Sequence, residues 1–271
     1  MFLADYHVHS SLSPDAEDTM SAMAHAALEH GMSQICFTNH VESCGLDDPV
    51  QFKFPPFEQW DEQQAEYDAV CAEFDGRLDI RLGAEVGSLN HLPSVADEIY
   101  NNRPLDFIIG SIHNLRDTDD FYFIDYSQLS DLESIIERYF LEYIEIAKIG
   151  LCDVLGHIGY MQRYMARHGC TFELMDYESF IRELFGIIIP RGIGIEVNTS
   201  GLHDILGKLI PDSNVIRLYK ECGGEIITVG SDSHKAVHAG YGVQETYMLL
   251  RELGYKYVTV YKAHKPEFIK L

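Results

Sequence analysis

Residues 2–9 read FLADYHVH, a short apolar run that carries two histidines two positions apart at its end. Side chains at i and i+2 of a strand share a face, so His7 and His9 can turn both imidazoles toward one ion. Outward from this run the same pattern repeats: an apolar β-rich run, a polar turn, then an amphipathic helical stretch. Further strands are expected at 34–38, 79–85, 106–112, 153–157, 193–197 and 225–230, with a weaker eighth run at 257–261. Helices are expected at 19–30, 58–74, 94–101, 131–149, 173–185, 212–221 and 242–253, the first closed by Gly31 and the fourth by Gly150. Strands alternating with helices at this spacing predict βαβ units and a mainly parallel sheet. Seven or eight such units favour a closed barrel over an open doubly wound sheet. No linker, low-complexity tract or sequence repeat divides the chain, so residues 1–271 are expected to form one domain.

The polar residues at the strand ends form a series. His7 and His9 follow strand 1, with Asp15 in the next loop; His40 follows strand 2, and Glu85 ends strand 3. His113 follows strand 4, His157 follows strand 5, and Asp232 and His234 follow strand 7. Strand 6 ends in Glu196-Val197-Asn198. A single strand-end histidine is more often a hydrogen-bonded core residue than a ligand. Agreement at successive strand ends points the other way, because in βα barrels these ends converge on one mouth. Six histidines and three carboxylates exceed what one ion takes, so two or three divalent ions are expected. Mixed imidazole and carboxylate ligation suits Zn, Mn or Fe and disfavours Ca.

Composition narrows the partners. Twenty Lys+Arg against 43 Asp+Glu leave a net charge of −23, which opposes sequence-independent nucleic-acid binding and an electrostatic hold on anionic membranes. No apolar stretch reaches the length of a membrane span, no secretory signal is readable, and the six cysteines show no CxxC spacing. These features predict a cytoplasmic protein with reduced thiols. Oligomeric state is not readable.

The pieces DYHVHSSLSPDA, FTNH, GAEVG, GSIHN, LGHIGY, EVNTSG and VGSDSH run in order from residue 5 to 234. In this combination the chain resembles the PHP (polymerase and histidinol phosphatase) family of metal-dependent phosphoesterases, and within it most resembles the histidinol-phosphate phosphatase branch. The resemblance implies a distorted (βα)7 TIM-like barrel with a trinuclear site at the C-terminal ends of its strands. It implies one ion on His7, His9, Glu85 and Asp232, a second on Glu85, His113 and His157, and a third on Asp15, His40 and His234. One departure is Asn39, where many relatives carry an aspartate before the histidine; this questions any carboxylate role in orienting His40.

The implied activity is hydrolysis of L-histidinol phosphate, a small-molecule phosphate monoester, by attack of a hydroxide generated on the ions, without a phosphoenzyme. Asp232 or His234 could give acid or base help, although ligation competes with that role. Arg163, just beyond His157, is the expected fork for phosphate oxygens. Asn198 and Ser200 could contact substrate or orient ligands, Glu42 could meet the substrate amine, and His203 or Phe54 could face the imidazole. Two alternatives stand beside this: a PHP phosphoesterase of another small phosphate such as a nucleotide, and a non-catalytic metal-binding module. Amidohydrolase-type metal barrels also open on HxH, but the lysine or carbamate-like bridge they generally use is not seen, since strand 4 here ends in GSIH.

Overall fold

In the computed structural model, which describes residues 1–42 and 60–271, the alternation resolves into a ring of parallel strands. They are β1 (Ala4–Val8), β2 (Gln34–Phe37), β3 (His40–Glu42), β4 (Asp79–Gly87), β5 (Phe107–Ser111), β6 (Val154–Leu155), β7 (Gly194–Asn198) and β8 (Ile227–Gly230). The order around the ring is β1-β2-β4-β5-β6-β7-β8. β2 and β3 are two pieces of one pass. Gln34 lies opposite Asp79 and His40 opposite Glu85, so the register with β4 is unbroken across Thr38 and Asn39. No ladder joins β8 back to β1. Instead Asp232 N–H donates to His7 O (2.8 Å) and His9 N–H donates to Ser233 O (2.9 Å). The barrel is therefore the distorted seven-unit form, and its irregular seam lies at the strand ends that carry the histidines.

Among the described residues eight helices surround the ring: α1 (Met20–Glu29), α2 (Trp60–Glu73), α3 (Pro93–Asn102), α4 (Leu132–Ile149), α5 (Met161–Arg167), α6 (Glu178–Ile188), α7 (Ser213–Glu221) and α8 (Val243–Glu252). Their ends follow local chemistry. Thr19, Asp131 and Asp212 cap α1, α4 and α7 by accepting backbone N–H groups, each cap worth about 1 kcal/mol. Helix α4 buries Ile136, Tyr139, Phe140, Tyr143 and Ala147, the stripe a 3.6-residue period puts on one face. That face also positions the site. Gly159 N–H donates to Tyr139 Oη (2.8 Å) and Tyr143 Oη donates to Gly156 O (3.0 Å), so α4 grips the turn on both sides of His157.

Some expectations need revising. The helix expected at 173–185 becomes a 3-10 turn, Leu174–Tyr177, followed by α6. Helix α5 was not foreseen. The eighth apolar run is a strand, β9 (Tyr257–Lys262), but it stays out of the ring and pairs antiparallel with an unforeseen β10 (Lys265–Lys270). This hairpin closes the N-terminal end of the barrel: Tyr261 Oη donates to Asp153 O (3.3 Å), Ile227 N–H to Thr259 Oγ1 (3.1 Å) and Ala263 N–H to Asp106 Oδ1 (3.0 Å). Tyr6, Phe107, Val154, Val260 and Tyr261 pack together there. Among the described residues no cysteine is in a disulfide, and no helix is long and apolar enough to cross a membrane.

Candidate metal centre

With one end plugged, the opposite end gathers the histidine series. Glu85, near the end of β4 and fully buried, is its centre. Its Oε1 lies 3.0 Å from His113 Nε2 and 2.7 Å from His157 Nε2. Its Oε2 lies 2.9 Å from His40 Nδ1, 3.3 Å from His7 Nε2 and 3.5 Å from His9 Nε2. Asp232 Oδ1 closes the other side, 3.5 Å from His7 Nε2 and 3.4 Å from His9 Nε2. Asp15 Oδ2 lies 3.2 Å from His234 Nε2 and 3.5 Å from His40 Nε2. All nine residues of the series thus meet at one mouth, with His40 close to Glu85 and Glu42 as well as to Asp15.

The donor set fits divalent ions. Potential ligand atoms of His7, His9 and Glu85 lie within 4.8 Å of one another, as do those of Glu85, His113 and His157, and those of His9, His40 and His234. His7 Nε2 and His9 Nε2 face each other at 3.0 Å. Glu85 Oε2 is buried and makes no hydrogen bond despite the three nitrogens around it. A buried carboxylate oxygen left so is costly unless a cation meets it.

The far nitrogens of His113 and His9 are fixed from behind. His113 Nδ1–H donates to Glu42 Oε1 (2.8 Å), and Gly87 makes room, since a Cβ there would collide with the Glu42 carboxylate. His9 Nδ1–H donates to Ser13 Oγ (3.0 Å), whose own proton goes to Asn39 Oδ1 (3.1 Å). Asn39 Nδ2 in turn donates to Gln63 Oε1 (2.9 Å), a bond an aspartate could not make. Asn39 therefore acts through Ser13 on His9, and the loss of charge there leaves the His40 ring's carboxylate neighbours in place.

Backbone geometry adds to this. Asp5 Oδ1 accepts Ser231 N–H (2.8 Å), and Oδ2 accepts Ser231 Oγ (2.5 Å) and Gly240 N–H (2.8 Å), tying β1 to the turn that presents Asp232. Burial pushes the Asp5 carboxyl upward against those bonds. Asp232 itself has φ of 53°, a left-handed conformation that costs about 1–3 kcal/mol in a non-glycine residue and marks sites held by their surroundings.

Without ions, the cluster's charge is balanced by protons. Burial disfavours a charged His40, but the Glu85 and Asp15 carboxylates more than reverse this and push it up to about 10. His7 and His113 also stay above their ordinary value against burial, through Glu196 and Glu42 respectively. His9 is held well below, by burial and by His234 and His40. The proton on His40 therefore stabilises the ion-free fold fully below about pH 6.5, and that contribution is lost as pH rises toward about 10. Urea unfolding of chelator-treated protein should show stability falling over this range, relative to a His40→Asn variant; parallel profiles for the two would contradict it.

Beyond the cluster lies a cavity of about 370 Å³, lined in part by Asp15, His40, Glu85, His113, His157, Asp232 and His234. Arg163, Ser200 and His203 also line it. The Arg163 guanidinium is 9% exposed, pairs through Nε with Asp204 Oδ2 (2.8 Å), donates to Ser200 Oγ and stands over the Tyr160 ring. His203 stacks on His238 with ring centroids 4.3 Å apart. Two expectations change here. Glu42 is taken up by His113 within the cluster and is not among the cavity-lining residues, so it is misplaced for a substrate amine. Asn198 is fully buried and bonded to Glu196 and Ser200, so it orients neighbours. Phe54 lies outside the described residues. Of the remaining histidines, His25 pairs with Glu73, His91 with Glu142, His168 with Asp125 and His264 with Asp153, all away from the mouth.

The sequence matches the PHP domain family over residues 5–200. The chain belongs to the PHP domain family. Among PHP relatives, it is 28% identical over 261 residues to a Deinococcus radiodurans protein named “Probable histidinol-phosphatase”, covering 95% of this chain and 96% of the relative. It is 24% identical over 264 residues to the Lactococcus lactis “Histidinol-phosphatase”, covering 96% and 95%. Its fold matches the crystal structure of the Lactococcus lactis histidinol phosphate phosphatase complexed with zinc, L-histidinol and phosphate, with a TM-score of 0.81 at 23% identity over 98% of each chain.

The sequence did not point to Tyr160, Tyr164 and Arg167, which line the same PHP-domain cavity. Tyr160 Oη and Tyr164 Oη are 2.5 Å apart, and the Arg167 guanidinium lies over Tyr164. The available signal was the spacing of Tyr160 and Tyr164, one helical turn apart around Arg163.

Proposed function

We propose that this chain hydrolyses L-histidinol phosphate to L-histidinol and phosphate with two or three divalent ions, Zn, Mn or Fe, bound at the barrel mouth. The observation that carries this is the convergence of nine ligand-competent residues, Glu85 at their centre, beside a cavity that also presents Arg163. Full-length similarity to proteins named histidinol-phosphatases, one of them seen with zinc, histidinol and phosphate, supports the substrate. His7, His9, Glu85 and Asp232 would hold one ion, Glu85, His113 and His157 a second, and Asp15, His40 and His234 a third. Bound there, the ions supply Lewis-acid neutralisation of phosphoryl oxygens and make a coordinated water acidic near neutral pH.

The chain's own groups do the rest. Arg163 offers a planar fork, pre-oriented by Asp204, to phosphate oxygens entering the cavity. Ser10, Ser111 and Ser231 are fully buried, and their hydroxyls are bonded to Asn39, Val86 O and Asp5. They are therefore poor nucleophiles, and hydrolysis proceeds without a phosphoserine. His234, a quarter exposed at the cavity, and Asp232 are the nearest groups to assist proton movement at the leaving oxygen.

Steady-state rates on L-histidinol phosphate against 3′- and 5′-nucleotides test the substrate. Histidinol phosphate should give the highest kcat/KM, by at least about tenfold. Equal or better turnover of a nucleotide would overturn it in favour of another small phosphate.

A further inference from the structure

We infer that Glu196 is a positioning residue that anchors two of the proposed ion sites at once, so that those two ions load together. This rests on the metal-centre reading above. Glu196, in β7, is 1% exposed and lies behind the imidazoles that face Glu85, away from the cavity lining. Its two oxygens go to different ligands. Oε1 accepts His7 Nδ1–H at 2.6 Å, and Oε2 accepts the backbone N–H of His157 at 2.8 Å and Asn198 Nδ2–H at 3.3 Å.

A carboxylate oxygen can only accept, so the contact to Oε1 places a proton on His7 Nδ1 and leaves Nε2 as the ring nitrogen available to an ion. The contact to Oε2 fixes the backbone that carries His157. His7 belongs to the first proposed ion group and His157 to the second. Among the described residues Glu85 also joins them, reaching both from the front. The geometry is built for this contact: a Cβ at Gly230 would lie 2.3 Å from His7 Cβ and 2.5 Å from Glu196 Oε1. The third group meets other carboxylates: His40 Nδ1 faces Glu85 Oε2 at 2.9 Å and Glu42 Oε1 at 3.6 Å. Asp15 is 48% exposed and His234 25%, and the far nitrogen of His234 faces its own neighbour's carbonyl, Asp232 O (3.0 Å).

Glutamine separates the two anchors. It keeps the size but has one acceptor oxygen, so it can serve His7 or the His157 and Asn198 donors, never both. Glu42 backs His113, of the second group, and lies 3.6 Å from His40 Nδ1, of the third. The test titrates chelator-stripped full-length protein with Zn²⁺ in competition with a chromogenic chelator, for wild type, Glu196→Gln and Glu42→Gln, with the apo fold checked by circular dichroism. E196Q should weaken two binding steps by about 10–100-fold and leave the last unchanged, whereas E42Q should also reach the step that involves His40. In ¹⁵N-histidine spectra, the downfield His7 Nδ1–H signal should move upfield or be lost in E196Q alone. E196Q titrating like wild type, or weakened in a single step, overturns the inference. Should E196Q not fold, Glu196→Asp, which keeps both acceptor oxygens on a shorter arm, is titrated with the same criteria. Wild type that binds no Zn²⁺ would instead overturn the metal-centre reading itself.

Discussion

Glu85→Gln is expected to lower kcat/KM on histidinol phosphate by about 10⁴-fold or more while the protein stays folded. Glu85 is the shared element of the cluster: five imidazole nitrogens from four strand ends lie 2.7–3.5 Å from its two oxygens. Glutamine replaces one oxygen by an amide that cannot ligate, so one of the two ion groups loses its carboxylate and the bridge is gone. The residue is fully buried behind the cavity, where the surrounding strands hold its shape. Steady-state kinetics paired with ion content and thermal unfolding measure this. Activity above about a tenth of wild type, with ions retained, would contradict the bridging role.

Arg163→Ala is expected to cost about 10²–10³-fold in kcat/KM, with weaker inhibition by inorganic phosphate. The guanidinium is held by Asp204, Ser200 and the Tyr160 ring, so its fork points into the cavity before substrate arrives. Lysine should recover little, because a point charge on a flexible stem matches neither the planar pair with Asp204 nor the stacking on Tyr160. Removal of the arginine also leaves Asp204 facing only Arg167 at 3.4 Å, so thermal unfolding is measured alongside. Lysine restoring near-wild-type kcat/KM would reduce Arg163 to a general positive charge.

The barrel and its ligand series were legible because both depend on local rules. His7 and His9 share a face by strand alternation, and each later ligand sits where a strand hands over to its loop. What backs the ligands was not legible, because it depends on neighbours across the ring. Glu196 reads as one more strand-face acid until β7 and β8 bring it against His7. Glu42 reads as an acid for the substrate amine until the β3 register with β4 turns it to His113. Helix α5 is seven residues long, too short for periodicity to separate it from a loop, so Tyr160 and Tyr164 went unnoticed beside Arg163. Strand β10 carries lysines at both ends and a proline, the composition of an exposed edge strand and equally of a loop.

The account's central claim is that the histidine series is a multi-ion centre. Elemental analysis of the protein purified without chelator tests it most directly. The account predicts two or three divalent transition ions per chain, reduced in Glu85→Gln. One ion per chain, or none, would contradict it.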